Sequence, residues 1–109
     1  VRDLAEREGR RWSLFFIDGN HEEPGPASDA AECARWAEDD CMMLFHDLNA
    51  PAVAEGLRTL KRLGWRTRIY DTAQIMGCAW RGNVEPVRHV RDPRVAWSRP
   101  AHLDGLDTD

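Results

Sequence analysis

Cysteine is scarce in this 109-residue sequence: Cys33, Cys41 and Cys78 are odd in number and form no CxxC pair. That excludes a disulfide framework and a zinc knuckle, and it points to a reducing, cytoplasmic setting. Long apolar runs are also missing. The longest, residues 14–17 and 41–45, fall far short of the roughly 20 residues that cross a bilayer. No secretory signal precedes them, so no membrane is expected. An excess of positive charge is absent as well: 15 Lys and Arg stand against 19 Asp and Glu, for a net charge of -4. Nothing electrostatic therefore favours nucleic acid or an anionic membrane as partner. The local basic run Arg58, Lys61, Arg62, Arg66 and Arg68 reads as a solvated face. No internal repeat is visible.

What remains is 42% hydrophobic and 31% charged, the balance of a globular protein, at a length that fits one domain or less. The first residue is Val1 rather than Met, and the chain is expected to be a piece of a longer reading frame.

Residues 2–10 read as the end of a charged helix stopped by Gly9. Leu14-Phe15-Phe16-Ile17, cut off by Asp18-Gly19, has the form of a central parallel strand buried on both faces. Ser28 is a candidate cap for a helix whose Ala30, Cys33, Ala34, Trp36 and Ala37 cluster on one side, running to Glu38. Cys41-Met42-Met43-Leu44-Phe45 repeats the strand pattern and is closed by His46-Asp47. Asn49 or Ala50 then opens a helix with Pro51 in its first turn, Val53, Leu57 and Leu60 on one face, and Gly64 beyond its end. Arg66, Arg68 and Tyr70 alternate with Thr67 and Ile69 in a third strand. The short link Asp71-Thr72-Ala73 forces the next strand, within residues 74–80, to run antiparallel to it. The expected fold is α/β: two parallel strands with crossover helices, then a C-terminal antiparallel pair, over residues 1–82. From Asn83 the periodicity ends, and Pro86, Pro93 and Pro100 interrupt a charged segment. Residues 83–109 are expected to be a mobile tail, with Val95 and Trp97 its candidates for docking.

Ligands of open parallel α/β sheets bind beyond the carboxyl ends of the strands. Both polar motifs, Asp18-Gly19-Asn20-His21 and His46-Asp47, fall at that edge. If the two strands are neighbours, Asp18 and Asp47 emerge side by side and can share a divalent cation, with His21 on the loop above. Taken singly, each residue has a plainer role: turn chemistry for Asp18, helix capping for Asp47, solvation for His21 and a backbone hydrogen bond for His46. Their coincidence at one edge favours function.

Phe16-Ile17-Asp18-Gly19-Asn20-His21, Asp29 and Leu44-Phe45-His46-Asp47, over residues 12–82, resemble the later half of class I S-adenosylmethionine-dependent methyltransferases. The likeness is to the macrocin and mycinamicin sugar O-methyltransferases, with cephalosporin hydroxylase-like proteins sharing the pattern. It implies a partial Rossmann-like sheet and methyl transfer to a hydroxyl of a small-molecule acceptor. Asp18, His46 and Asp47 fall at the positions of metal ligands, for magnesium, and His21 at that of the general base. The family has a carboxylate where His46 stands, and its Gly-Gly turn before the second strand is replaced by Glu38-Asp39-Asp40. Its glycine-rich cofactor loop has no counterpart in this sequence. The chain alone is therefore expected to bind S-adenosylmethionine weakly and to self-associate through an exposed sheet edge.

Two other readings stand beside this one. Gly19-Asn20-His21-Glu22 also resembles the GNHE motif of calcineurin-like metallophosphoesterases, but no Gly-His-x-His follows it. A truncated or degenerate Rossmann-like module without activity is the non-enzymatic alternative.

Overall fold

The computed structural model describes residues 2–19, 22 and 24–107. The elements run α1 (Arg2–Glu8), β1 (Trp12–Ile17), α2 (Gly25–Arg35), β2 (Ala37–Phe45), α3 (Pro51–Arg62), β3 (Arg66–Tyr70) and β4 (Met76–Arg81), with a short 3-10 turn at Ala101–Leu103. The fold is α/β. One mixed sheet has the order β1-β2-β4-β3. β1 and β2 are parallel, β4 is antiparallel to β2, and β3 is antiparallel to β4. The last strand in sequence is thus inserted between two earlier ones.

The register sorts the side chains into two faces, because successive residues of a strand point to opposite sides. Phe15, Met43, Ala79 and Thr67 share one row, and Ile17, Phe45, Gly77 and Ile69 the next. This face is covered by α2 and α3, whose Ala30, Cys33, Val53, Leu57 and Leu60 are buried against it. The helices come close because Gly56 lets Pro26 and Phe45 approach. Gly77 leaves room for Leu48 and Leu57, since a Cβ there would stand 3.0 Å from both.

The second face carries Leu14, Met42, Trp80 and Arg66 in one row and Phe16, Leu44, Cys78 and Arg68 in the next. Here the sequence expectation for β1 is corrected. Among the described residues it is an edge strand, not a central one, and Leu14 and Phe16 are 56% and 54% exposed. An apolar run signals burial on two faces, but only the helix face of β1 is covered.

Two boundaries also shift. The helix α2 starts at Gly25, ahead of Ser28, with Pro26 in its first turn where no intrahelical donor is needed. It ends at Arg35, and the Glu38-Asp39-Asp40 segment belongs to β2 instead. There the ladder is irregular, passing from Trp12 opposite Ala37 to Leu14 opposite Met42, and the three acidic residues face solvent.

The segment expected as a mobile tail has little regular structure but docks on both faces. Residues 85–90 lie against the second face: Arg68 donates to the carbonyls of Pro86 (3.1 Å) and Val87 (2.9 Å), and the Tyr70 hydroxyl donates to Val87 (2.7 Å). Further on, Val95, Leu103 and Leu106 are buried, the last two within the helix-side core. Arg58 donates to the His102 carbonyl (2.6 Å), and the Thr67 hydroxyl donates to that of Leu106. Trp97 remains 45% exposed. No helix among the described residues is long and apolar enough to cross a membrane.

Candidate functional site

The parallel register carries past the strand ends. Ile17 pairs with Phe45, and the His46 N–H donates to the Ile17 carbonyl (3.1 Å). The next residues, Asp18 and His46, therefore emerge side by side at the carboxyl edge. By parity they share the second face with Phe16 and Leu44. His46 Nδ1 lies 3.2 Å from Asp18 Oδ1. It is buried and, at that angle, makes no aligned hydrogen bond. The Phe16 ring stands beside the imidazole at a centroid distance of 6.4 Å.

Asp47 follows with φ +63, and Ile75, on the turn into β4, has φ +51. Among the described residues these are the two non-glycine positions in the left-handed region. They are tied together, since the Leu48 N–H donates to the Ile75 carbonyl (2.7 Å). For a β-branched residue such a φ is a real strain, and strain held by surrounding structure gathers at functional sites. Both positions border the edge where Asp18 and His46 meet.

The expected metal set is only partly assembled. Asp18 and His46 converge, but no three His, Cys, Asp or Glu side chains among the described residues gather closely enough to hold an ion. The αL backbone at Asp47 sends the chain into α3 through the Ala50 N–H, which donates to the Asp47 carbonyl (3.1 Å). The expected general base, His21, lies outside the described residues. Asp29 does approach the motif, with its carboxylate 3.8 Å from the position a Cβ on Gly19 would take. Asp18, Asp29, Glu32 and Cys33 line a shallow cleft of about 290 Å³ beside β1. The Cys33 thiol is pushed up to about 11, first by burial and then by the Asp29 charge, so it is no nucleophile at neutral pH.

Two features had no signal in the sequence. A larger cavity, about 500 Å³, lies between the second face and residues 85–90, lined by Met42, Leu44, Tyr70, Thr72 and Met76 from the sheet side. Beside it, Asp71 is 7% exposed and receives Arg99 through both carboxylate oxygens (2.7 and 3.1 Å) and His89 Nε2 (3.0 Å). Arg91 stands 3.5 Å away. The Arg99 hydrogen bonds, more than that from His89, hold the Asp71 carboxyl below the usual carboxylate range, against the opposing effect of burial. A charge in the link between β3 and β4 looks like ordinary turn chemistry until the tail is folded back on it.

Neither a protein-family model, nor a curated protein, nor a solved structure matches this chain.

Proposed function

We propose that this chain carries the proton-accepting edge of an S-adenosylmethionine-dependent methyltransferase that acts on a hydroxyl group of a small molecule. The observation that carries the reading is the Asp18–His46 pair, 3.2 Å apart at the carboxyl edge of two parallel strands. The inserted β4 and the helices crossing one face agree with a partial Rossmann-like sheet. The backbone strain at Asp47 and Ile75 adds weight to the same edge.

The chemistry of the pair follows from the two ring nitrogens. A carboxylate facing Nδ1 favours the tautomer protonated there, which leaves the Nε2 lone pair to accept a proton. An alcohol is a poor nucleophile at neutral pH, so a positioned base is worth roughly 10²–10⁴ in rate. His46 takes this role, with Asp18 as its positioning residue. The methyl donor, when bound, supplies an electrophilic carbon. Residues of this sequence do not fit a cradle for that donor, because no glycine-rich turn is present, and the reading needs that loop from elsewhere. Nor do Asp18, His46 and Asp47 fit a complete magnesium set, so the proton is assigned to imidazole and no step is drawn through an ion.

The test is formation of S-adenosylhomocysteine when the protein, in its full reading frame, is given S-adenosylmethionine and a panel of small hydroxyl compounds. H46Q and D18N should each slow turnover by about 100-fold or more without changing the circular dichroism spectrum. Turnover indifferent to both substitutions, or absent with every acceptor, rejects the reading.

A further inference from the structure

The outer edge of β1 is open to another strand. Successive residues of a strand turn their backbone groups to opposite sides, so alternate residues face the same neighbour. Ile17 accepts from the His46 N–H on β2. Ile17 and Phe15 therefore face β2, and Leu14 and Phe16 turn their N–H and C=O groups outward. The side chains of those two residues stand on the second face and are more than half exposed. From Trp12 to Ile17 the strand carries neither a charge nor a proline, the devices that ordinarily keep an edge from pairing.

The two ends of the strand say what pairs with it. Arg10 and Arg11 precede it, both exposed, and Asp18 follows it. Beside Asp18, the shallow cleft adds the carboxylates of Asp29 and Glu32. β1 thus runs from a basic end to an acidic one across an apolar stretch. A second copy laid antiparallel sets basic end on acidic end at both ends of the seam. Laid parallel, it would set arginine against arginine and carboxylate against carboxylate. Glu8 holds Arg10 at 2.9 Å, but both side chains are well exposed, and such a pair is weak enough to be exchanged. Arg11 donates to a neutral group, the Arg35 carbonyl (2.9 Å).

The register follows from the outward-facing groups. A two-fold axis at Phe15 puts Leu14 opposite Phe16 of the other copy, and Phe16 opposite its Leu14. Each of these pairs exchanges both backbone hydrogen bonds. The exposed apolar side chains then meet across the seam on one face and leave water together. In the same register Asp18 falls opposite Trp12 of the other copy, next to its Arg11 and Arg10. Diagonal neighbours of that kind lie within reach of long side chains.

We propose that this protein forms a two-fold dimer by antiparallel pairing of β1 with β1 of a second copy, joining the two four-stranded sheets into one. Arg10 and Arg11 of each copy then stand against Asp18 of the other, so each Asp18–His46 pair gains a cationic neighbour from its partner. Dimerisation needs no methyl donor and is measured without one. Its failure therefore leaves the methyl-transfer reading standing, and the converse also holds.

The experiment is analytical ultracentrifugation of the full chain over a range of concentration and salt. Expected is a monomer–dimer equilibrium that added salt weakens. The pair Arg10→Glu with Arg11→Glu, and separately Asp18→Arg, should each weaken the dimer at least about 10-fold, because like charges then meet at both ends of the seam. The chain carrying all three reversals should dimerise more tightly than either. Cross-linking checks the register. In a mixture of Leu14→Cys and Phe16→Cys chains, oxidation should join unlike chains, since only the unlike pair stands opposite, with Cα atoms about 5.5 Å apart, a span a disulfide bridges. Cross-links of like with like, reversals without effect, or a triple reversal no better than its parts each overturn the proposal. A monomer at every concentration overturns it without any variant.

Discussion

Replacing Asp71 by alanine removes the carboxylate on which Arg99, His89 and Arg91 converge, and the structure sets the size of the effect. Hydrogen bonds to a charged group contribute about 1.5–3 kcal/mol each, and losing one partner of a buried pair costs about 3–5 kcal/mol. Arg99 and His89 are themselves one-third and one-quarter exposed. Both regain water when the carboxylate goes, so the loss falls below the buried-pair range, at about 2–3 kcal/mol. If the loss falls on the tail alone, opening there becomes about 30- to 150-fold more frequent. The amides of Val95, Leu103 and Leu106, which donate within the tail, report it by hydrogen exchange. If the whole chain feels the loss, an unfolding entropy near 2.1 cal/mol/K per residue puts the fall in Tm at about 10 °C. Acid supplies an independent arm. The Asp71 carboxyl is depressed in the folded chain, chiefly by Arg99. Its contribution is therefore complete above the unfolded value of about 3.9 and disappears as pH falls through the folded one. Tail exchange in the unsubstituted protein should rise below about pH 4, and the alanine variant should lack that component. Tail protection unchanged within about twofold, together with an unshifted Tm, would refute the clamp.

Other outcomes are equally definite. Gly77→Val should destabilise by about 1–3 kcal/mol in urea titrations, because its Cβ meets Leu48 and Leu57 at 3.0 Å; a neutral effect would show that the helix layer gives way. All three thiols should react slowly with Ellman's reagent at pH 8 and quickly in urea, since burial pushes Cys78 up to about 12 and Cys33 to about 11 and raises Cys41; rapid labelling of the native chain would contradict their burial. We also expect the chain to associate through β1, and Phe16→Lys to shift it toward monomer in sizing chromatography, because an open edge with Leu14 and Phe16 exposed invites pairing. A monomeric peak for the unsubstituted chain at high concentration would count against that.

The elements with strong local signals were legible in the sequence. Pro51 and Gly64 bracket α3, and its period reappears as the buried Val53, Leu57 and Leu60. The alternation of residues 66–70 becomes the half-buried β3. The start of α2 was misplaced because Ser28 looks like a cap while Pro26 does the work of starting the helix. Asp39 and Asp40 disguise the first half of β2, which is polar because it faces water. Topology left no local mark: nothing in residues 76–81 says that this strand pairs with β2 as well as with β3. The candidate site was half legible. Asp18 and His46 stood out as strand-end polar residues and do meet. The Asp71–Arg99 clamp did not, because the partners of Asp71 lie 18 and 28 residues away in sequence.

The way residues 85–106 close over the sheet bears on the order in which the molecule forms. During synthesis the strands and helices through Arg81 leave the ribosome first, with most of their pairings already available. The cover over the cavity comes last, through contacts such as Arg68 with Val87, 19 residues apart, which wait for that segment to emerge. For that interval Met42, Leu44 and Met76 are open to whatever the cell offers.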